Sequence, residues 1–143
     1  LRVGAKLGGE ENGGVFYGPH QPVRDGAMTT ALILEILAKE GRRLSEMLEE
    51  LPKYCQLKDK VPCPEELKQP VLEELRRRVS GARVETLDGV KVWFDDGSWI
   101  LVRPSGTEPI YRLYAEASTE ERVAQVVEEF KQLLSEIISS VRS

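Results

Sequence analysis

A series of short alternating apolar runs, separated by turn residues, most constrains how this chain can fold. The runs cover residues 83–87, 90–94, 99–103 and 110–117, with Asp88-Gly89 between the first two and 95–98 before the third. Asp-Gly turns between alternating runs are typical of β-hairpins, because glycine readily adopts the positive φ of tight turns. The sequence therefore predicts four antiparallel strands. Trp93 and Trp99 fall inside them, and we expect both to pack in the core.

Helical patterns flank these strands on both sides. Residues 65–79 carry apolar side chains at helical spacing, although Pro70 should kink or split that helix. A longer amphipathic helix is predicted from Ser118 or Thr119 to about Ser139, and its apolar stripe should cover one face of the sheet. The order helix, four strands, helix predicts an α+β domain, with a four-stranded antiparallel sheet and helices packed on one face.

The first third of the chain shows helical patterns without a clear sheet. Residues 27–40 are apolar on most sides, which predicts a largely buried helix ended by Gly41. A second short helix is predicted near Ser45, stopped by Pro52. The following residues contain prolines and lysines without periodicity, and we take 55–64 as a linker between domains.

Charge and hydropathy exclude several classes of function. A net charge of −4 provides no basic field, so a general role in binding nucleic acid is not expected. The apolar stretch at 31–38 is too short to span a bilayer, and no signal peptide is evident, so we expect a cytoplasmic protein without membrane contact. Cys55 and Cys63 are too few for a zinc site, and the sequence leaves open whether they are free thiols or a disulfide.

The segment 103–109, Arg-Pro-Ser-Gly-Thr-Glu-Pro, has the composition of a small phosphate-binding loop. Arg103 can donate two hydrogen bonds to phosphate oxygens, and Ser105 and Thr107 can donate from their hydroxyls. Gly106 allows the backbone to approach an anion closely and to turn its N–H groups toward it. The alternative is an ordinary hairpin turn with a surface arginine.

A second loop, Gly8-Gly9-Glu10-Glu11-Asn12-Gly13-Gly14, has the composition of a sugar-binding loop. Carboxylate and amide groups among glycines suit vicinal sugar hydroxyls, which both donate and accept hydrogen bonds. The alternative is a flexible glycine loop with solvated glutamates. His20 lies six residues after this loop. It is either a general base or an ordinary surface histidine.

Together the two loops resemble those of the α-D-phosphohexomutases, the phosphoglucomutase/phosphomannomutase family. Residues 9–14 resemble the family's Gly-Glu-x-Ser-Gly-His sugar loop, with Asn12 in place of Ser and Gly14 in place of His. Residues 103–107 match its Arg-x-Ser-x-Thr phosphate loop. The variant resembles the archaeal-type branch of the family, and the resemblance covers essentially the whole chain.

This resemblance implies the partial α/β end of domain three over 1–54 and a TATA-box-binding-protein-like fourth domain over 65–143. It implies that Glu10 and Asn12 contact the sugar, and that Arg103, Ser105, Gly106 and Thr107 contact phosphate. The implied reaction interconverts hexose 1-phosphate and hexose 6-phosphate, of mannose or glucose, through a phosphoserine and a bisphosphate intermediate.

The family's phosphoserine and its Asp-Gly-Asp-x-Asp Mg²⁺ loop have no counterpart among these residues. We therefore expect no catalytic residue and no bound metal here, with Mg²⁺ held by other domains of the full-length enzyme. The expected partners are a hexose phosphate and those N-terminal domains, and a homo-oligomer is left open. The first residue, Leu1, fits a fragment. Alternatives are a stand-alone phosphosugar-binding module or an interaction domain that ignores phosphate.

Overall fold

The computed structural model describes residues 4–10 and 12–142, and Glu11 of the sugar loop lies outside the described residues. The chain divides into two compact units, Leu1–Pro52 and Lys53–Ser143.

The first unit combines a small sheet with two helices. Strands β1 (Leu7–Gly9), β2 (Val15–Tyr17) and β3 (Gln21–Arg24) form an antiparallel sheet in the order β1-β2-β3. Helices α1 (Gly26–Glu40) and α2 (Leu44–Glu49) follow. Asp25 caps α1 by accepting the Met28 N–H, and Gly41 ends it at φ 64°.

The burial predicted for α1 was wrong. Helix α1 contains no buried residue, and Leu34 is 61% exposed. The helix contacts β2, but three strands of three or four residues are too small to cover an apolar helix on several sides. Apolar composition alone indicated burial, whereas burial depends on the elements that surround the helix.

The second unit is built on a five-stranded antiparallel sheet in the order β4-β8-β7-β6-β5. Its strands are β4 (Cys55–Pro62), β5 (Arg83–Glu85), β6 (Val90–Trp93), β7 (Trp99–Pro104) and β8 (Ile110–Ala117). A 3₁₀ turn (Glu65–Leu67), α3 (Lys68–Arg78) and α4 (Glu120–Arg142) complete the unit. The α+β class and the antiparallel sheet with helices are confirmed.

The prediction of a linker at 55–64 was wrong, because most of this segment forms strand β4. This strand lies at the sheet edge beside β8 and supplies the fifth strand that the sequence analysis missed. Its outer residues are exposed, and Val61 is its buried apolar residue. Edge strands often carry charged residues, which removes the alternating apolar pattern used to recognise them.

The core lies between the sheet and the helices α3 and α4. Alternate residues of β6, β7 and β8 point into it, among them Val92, Ile100 and Leu113, each 0% exposed. Leu75 of α3 and Leu134 of α4, also 0% exposed, belong to the same cluster. Pro70 lies in the first turn of α3, where a missing N–H breaks no helical hydrogen bond, so it does not split the helix.

Trp93 and Trp99 lie on the sheet face opposite this core, which corrects their predicted place. Their neighbours Val92 and Ile100 point inward, and successive strand residues point to opposite faces. The Lys91 ammonium lies between the two indoles, 4.1 Å and 3.9 Å from their ring centroids. The tryptophans therefore belong to a half-buried cation–π cluster.

Within the described residues, none of the helices has the length and apolar character needed to cross a membrane.

Candidate functional site

The phosphate loop, residues 103–109, joins the adjacent strands β7 and β8 at one end of the sheet. Some of its backbone N–H groups donate hydrogen bonds within the protein, whereas an open N–H group is one that has no acceptor among the described residues. The Ser105 N–H donates to the Ile110 carbonyl at 3.0 Å, and the Ile110 N–H donates to Glu108 at 2.8 Å. The N–H groups of Thr107 and Glu108 point at the Ser105 Oγ, at 3.4 and 3.3 Å. In the described part of the chain, the Gly106 N–H has no acceptor.

Gly106 is exposed, and its backbone does not require glycine. Its φ is not in the positive region, and an added Cβ would meet nothing within 4 Å. The absence of a side chain therefore leaves open space above the loop without helping the fold. Thr107 is exposed beside it, whereas Ser105 is only 6% exposed. The Ser105 Oγ shapes the loop as an acceptor, and its own hydrogen remains available for donation.

Two hydrogen bonds tie this loop to buried residues of the second unit, and a third holds Lys68 in place. The Lys68 Nζ donates to the Ser105 carbonyl at 2.6 Å. The Tyr111 hydroxyl, fully buried, donates to the Lys68 carbonyl at 2.6 Å. The Cys63 N–H donates to the Pro109 carbonyl at 2.9 Å. The loop is therefore held from below by buried groups, as a preorganised binding site requires.

Two arginines stand side by side at the base of the loop. Arg103 and Arg112 are cross-strand neighbours in the β7–β8 ladder. Burial alone would raise the pKa of Tyr114, but hydrogen bonds from both guanidinium groups outweigh it, and the pKa of the phenol falls below its usual value. Two positive charges therefore lie on neighbouring strands at the base of the loop, which makes this part of the sheet attractive to an anion.

Both arginines also have carboxylate partners that an anion would compete with. Arg103 lies 3.1 Å from the Asp88 carboxylate, which is 72% exposed, and Arg112 lies 2.5 Å from Glu108. Exposed ion pairs of this kind contribute little, so a doubly charged phosphate can displace them.

An open groove of about 300 Å³ borders the loop on the outer face of the sheet. Lys58, Lys60, Glu108, Arg112 and Tyr114 contribute to its walls. Sequence reasoning did not place Arg112 in the candidate site. The signal was available, because Arg112 follows the loop on a strand predicted to be antiparallel to the one bearing Arg103.

The sugar loop is a hairpin connection held by its own backbone. The Glu10 N–H donates to the Gly14 carbonyl at 2.8 Å, and the Gly13 N–H donates to the Glu10 carbonyl at 3.0 Å. The Asn12 Oδ1 accepts the Gly14 N–H at 3.1 Å, which leaves the Asn12 NH₂ group to donate elsewhere. Glu10 and Asn12 are both exposed on this loop.

Arg24 occupies the space beside Gly14, where the resembling family has histidine. A Cβ added at Gly14 would lie 2.3 Å from the Arg24 Cδ, and the Arg24 guanidinium pairs with Glu10 at 3.1 Å. The aliphatic part of Arg24 thus fills the space beside Gly14, and its guanidinium lies against Glu10. His20 contacts the Asp25 carboxylate at 3.1 Å.

The sugar loop belongs to the first unit and the phosphate loop to the second. The structure brings Arg103, Ser105, Gly106 and Thr107 together in one loop, and Glu10 and Asn12 in the other. Their contacts with sugar and phosphate stay predictions.

The described residues do not fit the Mg²⁺ ion that the resemblance implies for the whole enzyme. Among them, no group of three or more His, Cys, Asp or Glu side chains is placed to hold a metal ion. Asp95 and Asp96 are adjacent in the sequence, and the Asp96 carboxylate accepts hydrogen bonds from Ser98 and Arg122.

Comparison with known proteins assigns both units to one family. The model for the C-terminal domain of phosphoglucomutase/phosphomannomutase matches residues 59–133. The model for the alpha/beta/alpha domain III of phosphoglucomutase/phosphomannomutase matches residues 1–54.

Individual relatives agree with these matches. A phosphoglucomutase/phosphomannomutase of Thermococcus kodakarensis is 48% identical over 96% of this chain and 30% of its own length. A probable phosphoglucosamine mutase of Methanopyrus kandleri is 41% identical over 97% of this chain and 31% of its own length. The chain thus spans less than a third of either relative.

A solved structure shares the fold. The crystal structure of a phosphoglucomutase/phosphomannomutase family protein from Burkholderia thailandensis superposes with a TM-score of 0.75 at 29% identity. The match covers 95% of this chain and 29% of that protein.

Proposed function

Since the chain belongs to the phosphoglucomutase/phosphomannomutase family, we propose that it is the substrate-binding part of a phosphohexomutase. The proposed substrate is a hexose phosphate, either mannose phosphate or glucose phosphate. In this proposal the loop 103–109 holds the phosphate that is not reacting, and Glu10 and Asn12 contact the sugar hydroxyls. The chain alone binds substrate without converting it, because it lacks the serine loop and metal loop that the family uses.

One observation carries this proposal above all. The loop presents an open backbone N–H at Gly106, Arg103 and Arg112 are cross-strand neighbours at its base, and the buried Lys68 holds its Ser105 carbonyl. Backbone donors, hydroxyls and guanidinium groups on a fixed frame suit the oxygens of a phosphate monoester.

The reaction proposed for the whole enzyme explains why such a loop is useful. The sugar has to present its 1-position and its 6-position in turn, so the non-reacting phosphate is bound in two orientations of the hexose. Contacts limited to the phosphate group tolerate both orientations. The loop then contributes binding and orientation, and domain closure excludes water around the substrate.

Affinity in the isolated chain should be low. Charge-assisted hydrogen bonds contribute about 1.5–3 kcal/mol each. Three or four of them, less the lost translational and rotational freedom, correspond to a Kd of about a millimolar. Titrations should therefore extend to about ten times that concentration.

The test is an amide NMR titration of the 143-residue chain with inorganic phosphate, glucose 1-phosphate and glucose. We expect both phosphate compounds to shift Gly106 and Thr107, and only the sugar phosphate to shift Asn12 and Gly13 as well. Arg103→Ala should raise the Kd for phosphate about ten-fold or more while the spectrum stays dispersed.

Arg83→Ala is the matched control, because Arg83 is an exposed arginine of strand β5, paired with Glu85 and outside the loop. It should bind phosphate as the wild type does. A wild-type chain whose loop resonances ignore millimolar phosphate would refute the proposed site. An equal loss of phosphate affinity in Arg103→Ala and Arg83→Ala would show that the effect comes from the change in net charge and not from the loop.

A further inference from the structure

Lys68 is a buried cation beneath the phosphate loop. It is the first residue of α3 and is 3% exposed, on the same helix face as the buried Val71, Leu72 and Leu75. An ammonium group away from water is costly unless hydrogen bonds and an opposite charge compensate it. Its Nζ meets this requirement with the Ser105 carbonyl at 2.6 Å and the Glu65 carboxylate at 2.5 Å.

The bond to Ser105 fixes the direction of one peptide group in the phosphate loop. No peptide in the described chain is cis, and in a trans peptide the C=O and the following N–H point in opposite directions. The Ser105 carbonyl points inward at Lys68, so the Gly106 N–H points away from Lys68, toward the exposed side. This N–H is the open donor of the loop.

The frame beneath this peptide is itself fixed. The carbonyl of Lys68 accepts the hydroxyl of the fully buried Tyr111, one residue beyond the start of β8. The ammonium also polarises the peptide it contacts, because a cation at the carbonyl oxygen makes the N–H at the other end a better donor.

We infer that Lys68 is a positioning residue of the phosphate loop, holding the Ser105–Gly106 peptide so that the Gly106 N–H faces the bound phosphate. Lys68 acts through the peptide and does not touch the ligand. The inference rests on the proposed function, since it assigns the role to the same loop.

The alternative is a buried ion pair that supports the fold alone. The two roles differ in what the folded protein does. A structural role predicts that a folded variant without the ammonium binds phosphate normally. A positioning role predicts weaker binding and a changed Gly106 amide in a protein that is still folded.

The experiment compares wild type, Lys68→Met and Lys39→Met in amide NMR titrations with inorganic phosphate. Methionine keeps an unbranched apolar side chain and removes the charge. Lys39 is the matched control, because it also pairs with a glutamate at 2.5 Å and lies in the other unit, on helix α1. We expect Lys68→Met to raise the Kd about ten-fold and to weaken the Gly106 response, with Lys39→Met unchanged.

Each outcome bears on a different claim. If the wild type itself does not respond to phosphate, the proposed phosphate site is wrong. If the wild type responds and folded Lys68→Met binds equally well, the site stands and the positioning role is wrong.

A measurement on the wild type covers the case in which Lys68→Met does not fold. Lys68 Nζ donates a hydrogen bond to the Ser105 carbonyl oxygen. The scalar coupling that this bond transmits between the Nζ nitrogen and the Ser105 carbonyl carbon should be detectable with and without phosphate. Its absence from the phosphate-bound protein would overturn the inference.

Discussion

The two candidate loops of this chain are built in opposite ways. The phosphate loop at 103–109 is tied to buried groups, with Lys68 and Tyr111 beneath it and a core of fully buried side chains behind them. The sugar loop around Glu10 and Asn12 is held by hydrogen bonds between its own residues, and its unit has no buried residue among those described.

In the proposed function, this difference corresponds to a division of work between the loops. A phosphate group has the same shape on every substrate, so a fixed loop recognises it with little ordering cost. A sugar ring presents different hydroxyls in its two orientations, and a loop that adjusts can serve both. The comparison makes the phosphate loop the preformed part of the site.

Truncating one leucine in each unit tests this difference where the expected effect is largest. Leu134→Ala should destabilise the second unit by about 2–5 kcal/mol, because it removes a fully buried side chain of α4. Leu34→Ala in α1 is the matched change, and with 61% exposure it should cost about 0.5 kcal/mol or less. Urea unfolding of each variant measures both free energies, and similar losses would remove the contrast between the units.

Substitutions at two glycines of the second unit should affect stability and phosphate binding separately. Gly89 has φ 84°, and an added Cβ would lie 2.3 Å from the Val102 carbonyl oxygen. Gly89→Ala should therefore destabilise the unit by about 2 kcal/mol or more.

Gly106→Ala is the companion variant, and its added Cβ meets nothing within 4 Å. Stability should change by about 0.5 kcal/mol or less, while the Kd for phosphate rises because the methyl group enters the ligand's space. Unfolding and phosphate titration measure the two effects. Unchanged phosphate binding would mean that the ligand does not approach Gly106.

Acid should weaken the second unit through Asp96. Hydrogen bonds from the Ser98 hydroxyl and N–H, then from Arg122, lower the pKa of its carboxyl group from 3.8 to about 2. A depressed folded-state pKa stabilises the fold above the unfolded value, and this stability is lost as the pH falls through about 2.

Asp96→Asn isolates this smaller contribution. The difference in Tm between wild type and Asp96→Asn should be present at about pH 5 and shrink toward pH 2. Thermal unfolding at both values measures it. A difference that stays constant with pH would assign the effect to the asparagine side chain instead of the charge.

Sequence reasoning succeeded where a local pattern determined the structure. The hairpin turn at Gly97, the end of α1 at Gly41 and the long helix α4 follow from glycine geometry and helical periodicity. Strand β4 was missed because the alternating signal disappears at a charged sheet edge.

Side-chain environment was harder to predict than secondary structure. The two tryptophans were expected in the core because they lie within strand-like runs, although the alternation of Val92 and Ile100 already assigned them to the other face. Lys68 occupies a core position four residues before Leu72, and this pattern was a detectable signal of a buried cation with a specific partner. Its partner, the Ser105 carbonyl, depends on tertiary packing and has no sequence signature.

Amide hydrogen exchange at two hydrogen bonds tests the central claim most directly. The Ser105 N–H donates to Ile110 at 3.0 Å and the Glu10 N–H donates to Gly14 at 2.8 Å, so the two bonds are of similar length on different supports. If the phosphate loop is preformed, Ser105 without phosphate should be protected nearly as strongly as the core strands, and Glu10 should exchange much faster. Exchange of Ser105 as fast as that of Glu10, with protection appearing only after phosphate is added, would contradict the account.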